Sequence, residues 1–361
     1  MKKRTVFLLC LVAGCRPTSD FQRQIDFIFS ASFQSGQPGG AILIMKHEQV
    51  VFSEQYGVAD IETQEKITPQ TLFNTGSISK TFVTNTILAL ANEGELSLND
   101  SLAKYFPDFK NPEIAKRVRI EHLLTHTSGL PDNRRQFLDS VFLLTAKDKE
   151  NFAPIQQADS LLFDPGTRYE YSNPAFNALA LIIEQVTGRK WQEVVKEKIF
   201  TPAGMNRSVI TDGPFPQSGV AHAYLRTGNS FIEKDYGEEP TFAAAGNGGV
   251  WSSVDELARY ELALRKSLIL DSTTIADSRT IKTFPDWKGT PPFIGYSWFV
   301  GEVDGLTVIS HTGTQGGFYA DFVSIPEKDI LYVMLCNVPT PQEEKREQVL
   351  AVLKKFNWLD P

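Results

Sequence analysis

Apolar positions recur along the chain with two different periods. Helical spacing of three to four residues appears over residues 21–33 and 80–93, and the second segment stops at Gly94, a residue that often follows a helix. Two short apolar runs at 41–45 and 50–56, separated by four polar residues, predict a β-hairpin. The N-terminal part of the chain is therefore expected to read helix, hairpin, helix.

The pattern changes from about residue 96 to 240. Helical patterns there alternate with loops rich in proline, glycine and asparagine, and they lie at 120–124, 175–187 and 191–200. Strand patterns then return, at 296–300, 306–310, 318–325 and 330–338. A hairpin turn is predicted at 326–329, and an amphipathic helix closes the chain.

This order of elements predicts an α/β (α+β) fold. We expect an antiparallel sheet built from both ends of the chain and flanked by helices, with a mostly helical subdomain inserted at about 96–240. One domain would then extend over residues 21–361. The cleft between the sheet and the helical part is the natural place for a site.

Residues 1–14 predict a signal peptide. Three basic residues precede an apolar run at 6–13 that is too short to span a bilayer. The ending Val12-Ala13-Gly14-Cys15 resembles the bacterial lipobox, which implies cleavage before Cys15, lipid on Cys15 and a short tether at 15–20. The expected product is an exported lipoprotein, anchored to a membrane on its periplasmic or outer face. The alternative is an ordinary cleavable signal in which the cysteine occurs by chance.

Charge and cysteine content narrow the picture further. The net charge is −7, and acidic and basic residues are interspersed. The sequence therefore shows no basic face, and we expect no nucleic-acid partner. Of the three cysteines, Cys10 leaves with the signal and Cys15 carries lipid on this interpretation. Cys336 then stands alone in an apolar strand, where we predict a buried, inert thiol and no intramolecular disulfide.

The first chemical signal is Ser77-Ile-Ser-Lys80 at the start of the second helix. Residues three apart share a helix face, so the amine can reach the hydroxyl, and a lysine with a depressed pKa can act as the base that a serine nucleophile needs. The spacing alone arises about once or twice by chance in a chain of this composition. It recurs at Ser101-Leu-Ala-Lys104, which we interpret as a helix start with a solvated lysine.

Two further segments carry polar groups on constrained backbone. Tyr171 and Asn173 lie just before Pro174, which begins a predicted helix. A phenol beside an ammonium can have a lowered pKa and move a proton, and a carboxamide can orient an amine or bind a carbonyl. His311-Thr-Gly313 ends the strand 306–310, and small residues there let a substrate backbone approach free N–H groups that can stabilise an oxyanion.

Together these segments resemble one enzyme family. Ser77-x-x-Lys80, Tyr171-x-Asn173 and His311-Thr-Gly313, in this order, resemble the motifs of class C β-lactamases and serine DD-peptidases of the penicillin-binding protein type. Three other stretches, beginning at His122, Leu181 and Gly248, look similar to the same family, and the likeness extends over about residues 41–338. The class A pattern of Ser-Asp-Asn with a separate Glu base is not matched.

The resemblance implies roles for the first two motifs. Ser77 is the acylated nucleophile, and Lys80 helps to remove its proton. Tyr171 is the base or acid toward the nucleophile, the leaving group and later water. Asn173 orients Lys80 and the substrate amide.

The resemblance also implies roles for the third motif. His311 and Gly313 bind substrate near its carboxylate and near Tyr171, and the backbone N–H groups of Ser77 and Thr314 form the oxyanion hole. No metal or organic cofactor is implied. His122 and His126 are four apart, which is a metal-ligand spacing, but the glutamate of a zincin is missing, so we interpret them as structural hydrogen-bonding residues.

One departure bears on the substrate. Class C β-lactamases carry lysine where this chain has His311, and His-Thr-Gly is the form seen in some DD-peptidases and related esterases or amidases. We expect a membrane-anchored serine hydrolase that acylates Ser77 on amide or ester bonds of D-amino-acid peptides, β-lactams or related substrates. The alternatives are a carboxylesterase and, outside enzymes, a penicillin-binding sensor or envelope scaffold without turnover.

Overall fold

The structure is a computed structural model. It describes residues 19–132, 142, 145–211, 219–228, 230–233, 243–287, 289 and 291–360. The predicted signal peptide and the predicted lipidation site Cys15 lie outside the described residues. Among the residues that the structure describes, none of the helices is both long enough and apolar enough to cross a bilayer.

The described strands lie mainly near the two ends of the chain. They are β1 (Gly40–Lys46), β2 (Gln49–Tyr56), β3 (Phe73–Asn74), β4 (Val209–Ile210), β5 (Tyr224–Thr227), β6 (Ser230–Glu233), β7 (Val250–Ser252), β8 (Phe299–Val303), β9 (Leu306–Gln315), β10 (Phe318–Ile325) and β11 (Ile330–Cys336). Six of them form one antiparallel sheet in the order β2-β1-β11-β10-β9-β8. The expected sheet from both chain ends is confirmed, because β1 pairs with β11 along its whole length.

The helices surround this sheet. They are α1 (Asp20–Ser30), α2 (Ser79–Asn92), α3 (Pro112–Arg117), α4 (Ile120–Leu124), α5 (Asp148–Gln156), α6 (Asn173–Thr187), α7 (Trp191–Val195), α8 (Val254–Arg265), α9 (Ser272–Ser278) and α10 (Gln342–Lys355). After α7 the chain continues as a π-helical stretch, Lys196–Phe200. Helices α3 to α7 fall within the predicted helical insertion, whose bounds as a subdomain stay a prediction.

Both faces of the sheet are covered, and the sequence of β11 shows why. Its even-numbered residues, such as Tyr332 and Met334, pack in the cluster that includes α1 and α10. Its odd-numbered residues, such as Val333, join the larger core formed with α2, α6 and α8. Side chains alternate across a strand, so a strand buried on both sides must be apolar at every position. Each such side chain contributes about 1.5–3 kcal/mol by burial.

Three predicted strands have different bounds in the structure, and the one predicted at 330–338 ends at Cys336. The strand predicted at 296–300 begins only at Phe299, because Ser297 has a left-handed φ of 66° and its N–H donates to the carbonyl of Leu124 instead of to a strand. The strand predicted to stop at Ser310 continues to Gln315. The His311-Thr-Gly313 motif therefore lies inside β9, not beyond its end.

Two smaller predictions are confirmed. Cys336 is fully buried, and burial raises the pKa of its thiol to about 12, so it is inert at neutral pH. Ser101 precedes a 3₁₀ turn, Leu102–Lys104, and the exposed Lys104 side chain pairs with Asp100 at 2.8 Å. This second Ser-x-x-Lys spacing is thus a helix start with a solvated lysine.

A buried carboxylate ties the helical side to the sheet. Glu261 of α8 is fully buried, and its oxygens accept from Arg265 Nε at 2.9 Å, Arg279 Nη2 at 2.6 Å and Ser324 Oγ of β10 at 2.7 Å. Burial acts to raise the pKa of Glu261, but the two arginines outweigh it, Arg279 most, and hold it at about 2. The ionised form is therefore part of the folded state.

We predict that Glu261→Gln destabilises the protein by about 3–5 kcal/mol, because two arginines are left without their shared anion. The measurement is denaturant unfolding at pH 7. Because the folded pKa is depressed, this stabilisation is fully present above the unfolded value near 4.5 and is lost as the pH falls through about 2. The matched control is Glu113→Gln, which breaks an exposed pair with Lys116; an equal loss in both variants would contradict the prediction.

Candidate active site

The structure brings Ser77 and Lys80 into direct contact. Ser77 lies in a 3₁₀ turn, Gly76–Ile78, that runs straight into α2, so Lys80 stands one helical turn further along the same face. The Lys80 side chain is fully buried, and its Nζ donates to Ser77 Oγ at 2.9 Å and to the backbone carbonyl of Asn247 at 2.7 Å. The amine is thus fixed against the candidate nucleophile.

Backbone contacts hold this turn in place. Gly76 has a left-handed φ of 52°, and its N–H donates to Asn74 Oδ1 at 2.8 Å. The N–H and the hydroxyl of Thr75 both donate to the carbonyl of Val250, each at 2.9 Å. In return the N–H of Val250 donates to Ser79 Oγ at 3.0 Å. The second serine of the first motif therefore anchors the helix start to β7.

The Tyr171 phenol is hydrogen-bonded to the Ser77 hydroxyl. The Lys80 Nζ is 5.1 Å from the centroid of its ring. A neighbouring ammonium can lower the pKa of a phenol, but burial has the larger effect at this position. Burial of the hydroxyl raises the pKa of Tyr171, opposed only in part by its hydrogen bond with Ser77, although the residue as a whole is 37% exposed. Tyr171 is therefore a neutral phenol at rest.

His126 supports Tyr171 from behind. The two rings stack with centroids 4.4 Å apart and an interplanar angle of 25°. The His126 Nδ1 accepts from the N–H of Ser172 at 3.0 Å, and its carbonyl accepts from the N–H of Glu170 at 2.8 Å. Burial first, and then the Lys80 charge, hold the pKa of His126 well below its usual range. As expected, it is a structural hydrogen-bonding residue, and His122 likewise accepts from the N–H of Arg119.

His311 is buried and neutral. Its Nδ1 lies 2.6 Å from the carbonyl of Thr312, which assigns the proton to Nδ1 and leaves Nε2 as an acceptor. Burial, followed by the charge of Lys80, lowers the pKa of His311 to about 3. Within the described ranges its Nε2 has no hydrogen-bond partner. This position therefore holds a buried acceptor nitrogen without a partner among those residues and carries no positive charge.

Gly313 allows β9 to pass directly against the nucleophile turn. A Cβ at Gly313 would lie 2.0 Å from the carbonyl oxygen of Thr75. A Cβ at Gly76 would lie 2.7 Å from the backbone nitrogen of Thr314. The Thr314 nitrogen and the turn that carries Ser77 are thus neighbours, which is the arrangement that the predicted oxyanion hole requires.

Asn173 is the first residue of α6 and is half-buried. The helix start is fixed by Ser172, whose Oγ accepts from the N–H of Ala175 at 3.3 Å. Lys80 Nζ is 5.6 Å from the ring centroid of Phe176 in the first turn of α6, so this end of α6 lies beside Lys80. The predicted orienting role of Asn173 toward Lys80 stays a prediction.

The sequence did not predict the second hydrogen-bond partner of Lys80, the backbone carbonyl of Asn247. The carbonyl of Asn247 belongs to a glycine-rich loop, and Asn247 Oδ1 also accepts from Asn177 Nδ2 at 2.9 Å. The sequence around Gly248 and Gly249 resembles the family, but the resemblance gave no role to Asn247. A backbone carbonyl leaves no side-chain signature, so its role becomes visible only in the structure.

Across the described part of the chain, three or more His, Cys, Asp or Glu side chains nowhere gather as a metal site needs. A serine hydroxyl held by an amine and a phenol, beside two backbone nitrogens, is an arrangement suited to acyl transfer.

Fold and site together define a β-lactamase-type serine hydrolase. A family model described as "Beta-lactamase" matches residues 22–355, and the chain belongs to that family of serine hydrolases.

Three relatives illustrate the range of the family. Protein flp of Staphylococcus aureus strain MRSA252 is 33% identical over 338 residues, which cover 90% of this chain and 64% of that protein. D-aminopeptidase of Brucella anthropi is 29% identical over 288 residues, covering 78% of this chain and 52% of that enzyme. The octameric penicillin-binding protein homologue from Pyrococcus abyssi superposes with a TM-score of 0.81 at 28% identity, covering 93% of this chain and 78% of that one. The chain thus spans less than two thirds of the length of protein flp and of the D-aminopeptidase.

We predict that Gly313→Ala slows acylation of Ser77 at least about tenfold, because the new methyl collides with the Thr75 carbonyl and shifts β9 from the nucleophile turn. The measurement is the rate of labelling by a fluorophosphonate. The matched control is Gly301→Ala in β8, where the nearest atom to a new Cβ is 4.0 Å away. Equal labelling rates for the two variants would show that the close approach does not matter.

Proposed function

We propose that the protein is a lipid-anchored serine hydrolase that forms an acyl-enzyme at Ser77 and cleaves amide bonds of D-amino-acid peptides. The observation that carries the proposal is the contact between the buried Lys80 amine and Ser77 Oγ at 2.9 Å, with the Tyr171 phenol on the same hydroxyl. Such a pairing is costly to bury and has a direct use in activating a nucleophile.

In the acylation step Ser77 Oγ attacks the substrate carbonyl carbon. Lys80 first releases one proton to solvent, and the neutral amine then accepts the Ser77 proton. The carbonyl oxygen gains negative charge and takes hydrogen bonds from the N–H groups of Ser77 and Thr314. When the C–N bond breaks, the leaving amine takes a proton from the Tyr171 phenol, and Lys80 returns a proton to the phenolate.

Deacylation reverses these proton movements with water in place of the amine. Water attacks the acyl carbon and gives a proton to the Lys80–Tyr171 pair. The ester bond breaks, Ser77 Oγ regains its proton, and the carboxylic acid leaves. The raised pKa of Tyr171 suits this use, since a neutral phenol can hand on one proton as it accepts another.

The neutral state of His311 favours an amide substrate over a β-lactam. With a pKa of about 3 this side chain has no positive charge at pH 7 to pair with the carboxylate of a β-lactam. The likeness to a D-aminopeptidase over 78% of the chain supports a D-amino-acid substrate.

The first test is active-site labelling followed by turnover. We expect a fluorophosphonate and a fluorescent penicillin to label wild type, and Ser77→Ala to lose labelling and at least about 10³-fold of turnover, because the nucleophile is removed. The matched control is Ser101→Ala, at the second Ser-x-x-Lys spacing, which should label as wild type does.

Turnover then separates the candidate functions. A D-amino-acid p-nitroanilide should be hydrolysed faster than its L-enantiomer and faster than a chromogenic cephalosporin. Stable labelling without turnover of any of these substrates would favour the sensor, and turnover confined to simple p-nitrophenyl esters would favour the carboxylesterase.

Localisation is tested by fatty-acid labelling in a bacterial host. Cys15→Ser should lose the lipid label and leave the membrane fraction, because the thiol that carries the lipid is gone. Cys10→Ala is the matched control, since Cys10 lies within the predicted signal, and it should keep the label. A labelled Cys15→Ser protein would refute the predicted anchor.

A further inference from the structure

We propose that Asp148 is a positioning residue for Lys80, acting through Asn177 and the loop at residues 246–249. This inference rests on the proposed function, because it concerns the amine that activates Ser77. No sequence motif pointed to Asp148, which is the first residue of α5 and lies far along the chain from the three motifs.

The Asp148 carboxylate reaches away from its own helix. Its Oδ1 accepts from Asn177 Nδ2 of α6 and from the backbone N–H of Gly246, both at 2.8 Å. The Trp191 side chain of α7 donates to the same carboxylate. Asp148 is 5% exposed and Asn177 is fully buried, so these contacts are shielded from competing water. One carboxylate thus joins two helices and the loop.

The loop transmits this position to Lys80. Asn177 donates both to Asp148 and to Asn247 Oδ1, the latter at 2.9 Å. The carbonyl of the same Asn247 accepts from Lys80 Nζ at 2.7 Å. A continuous path of hydrogen bonds therefore runs from the carboxylate at the start of α5 to the amine beside Ser77.

The loop has little room to settle elsewhere. A Cβ at Gly246 would lie 2.5 Å from the carbonyl oxygen of Phe176, and one at Gly248 would lie 2.4 Å from Gln315 Oε1 at the end of β9. The loop packs between α6 and β9. The position of the Asn247 carbonyl relative to Lys80 therefore depends on the hydrogen bonds that hold Gly246 and Asn247. The Asp148–Asn177 pair supplies those hydrogen bonds.

Burying the Asp148 carboxylate lowers the stability of the folded protein at neutral pH. Among the described residues no cation lies within ion-pair distance of Asp148, and the charged group that faces it is Glu184 of α6. Burial, reinforced by Glu184, raises the pKa of Asp148 to about 7. A raised folded pKa means that stability is lost as the pH rises from about 4 to 7. A residue retained against this cost is a candidate for a functional role.

The test compares three variants by the rate at which a fluorophosphonate acylates Ser77 at pH 8. We expect Asp148→Ala and Asn177→Leu to slow acylation about 10–100-fold, the range for residues that orient a catalytic group from behind. Asp148→Asn keeps an acceptor oxygen and should stay within about threefold of wild type. The matched control is Asn85→Leu, since Asn85 is equally buried but donates to Tyr260, away from the loop.

Two further readouts separate positioning from folding. The change in the wild-type acylation rate as Asp148 ionises near pH 7 should be no larger than about threefold and should be absent from Asp148→Asn. Asp148→Asn should also gain thermal stability relative to wild type between pH 5 and pH 8, because it removes the cost of ionising a buried acid. If Asp148→Ala does not fold, Asn177→Leu carries the test alone.

The inference is overturned if folded Asp148→Ala or Asn177→Leu acylates at the wild-type rate, or if Asp148→Asn is as slow as Asp148→Ala. Failure of the proposed function is distinct from these outcomes. In that case wild type itself remains unlabelled, or Ser77→Ala labels as strongly as wild type.

Discussion

The site depends on one close approach, between the turn that carries Ser77 and strand β9. At Gly313 the backbone of β9 meets the Thr75 carbonyl so closely that even a methyl group would not fit. This contact brings a segment of the N-terminal half of the chain against a strand of the C-terminal part, and it sets the Thr314 nitrogen beside Gly76. Every other contact of the site refines a geometry that this approach has already fixed.

Around that contact the protein gathers buried polar groups that are mostly neutral. Burial keeps His126 and His311 uncharged and Tyr171 protonated, while Lys80 lies among them on Ser77 and a backbone carbonyl. In a low-dielectric setting each proton movement changes the local charge strongly. A site of this kind uses proton position, rather than fixed ion pairs, to prepare its nucleophile. The fixed pairs, such as Glu261 with its arginines, lie away from Ser77 and stabilise the framework.

Much of the fold could be predicted from the sequence because it rests on periodicity. The hairpin, helix α2, strand β10 and the sheet from both chain ends follow from runs of apolar residues. Strand ends were harder, because β8 begins only after the left-handed residue Ser297 and β9 continues beyond Ser310 to Gln315. The candidate site residues were found through side-chain motifs. The carbonyl of Asn247 and the burial that raises the pKa of Tyr171 have no such signature, since both arise from what tertiary packing places nearby.

The pairing of β1 with β11 has a consequence for biosynthesis. Gly40 faces Cys336 across this ladder, so the centre of the sheet cannot close until β11 has left the ribosome. The serine and lysine are synthesised early, but the strand that supplies Thr314 follows more than two hundred residues later. On the proposed mechanism, a partly made chain therefore carries the nucleophile without part of its oxyanion hole. Contacts so distant in sequence also slow folding. Acyl transfer by the proposed mechanism should thus become possible only after β9, β10 and β11 have been made and paired.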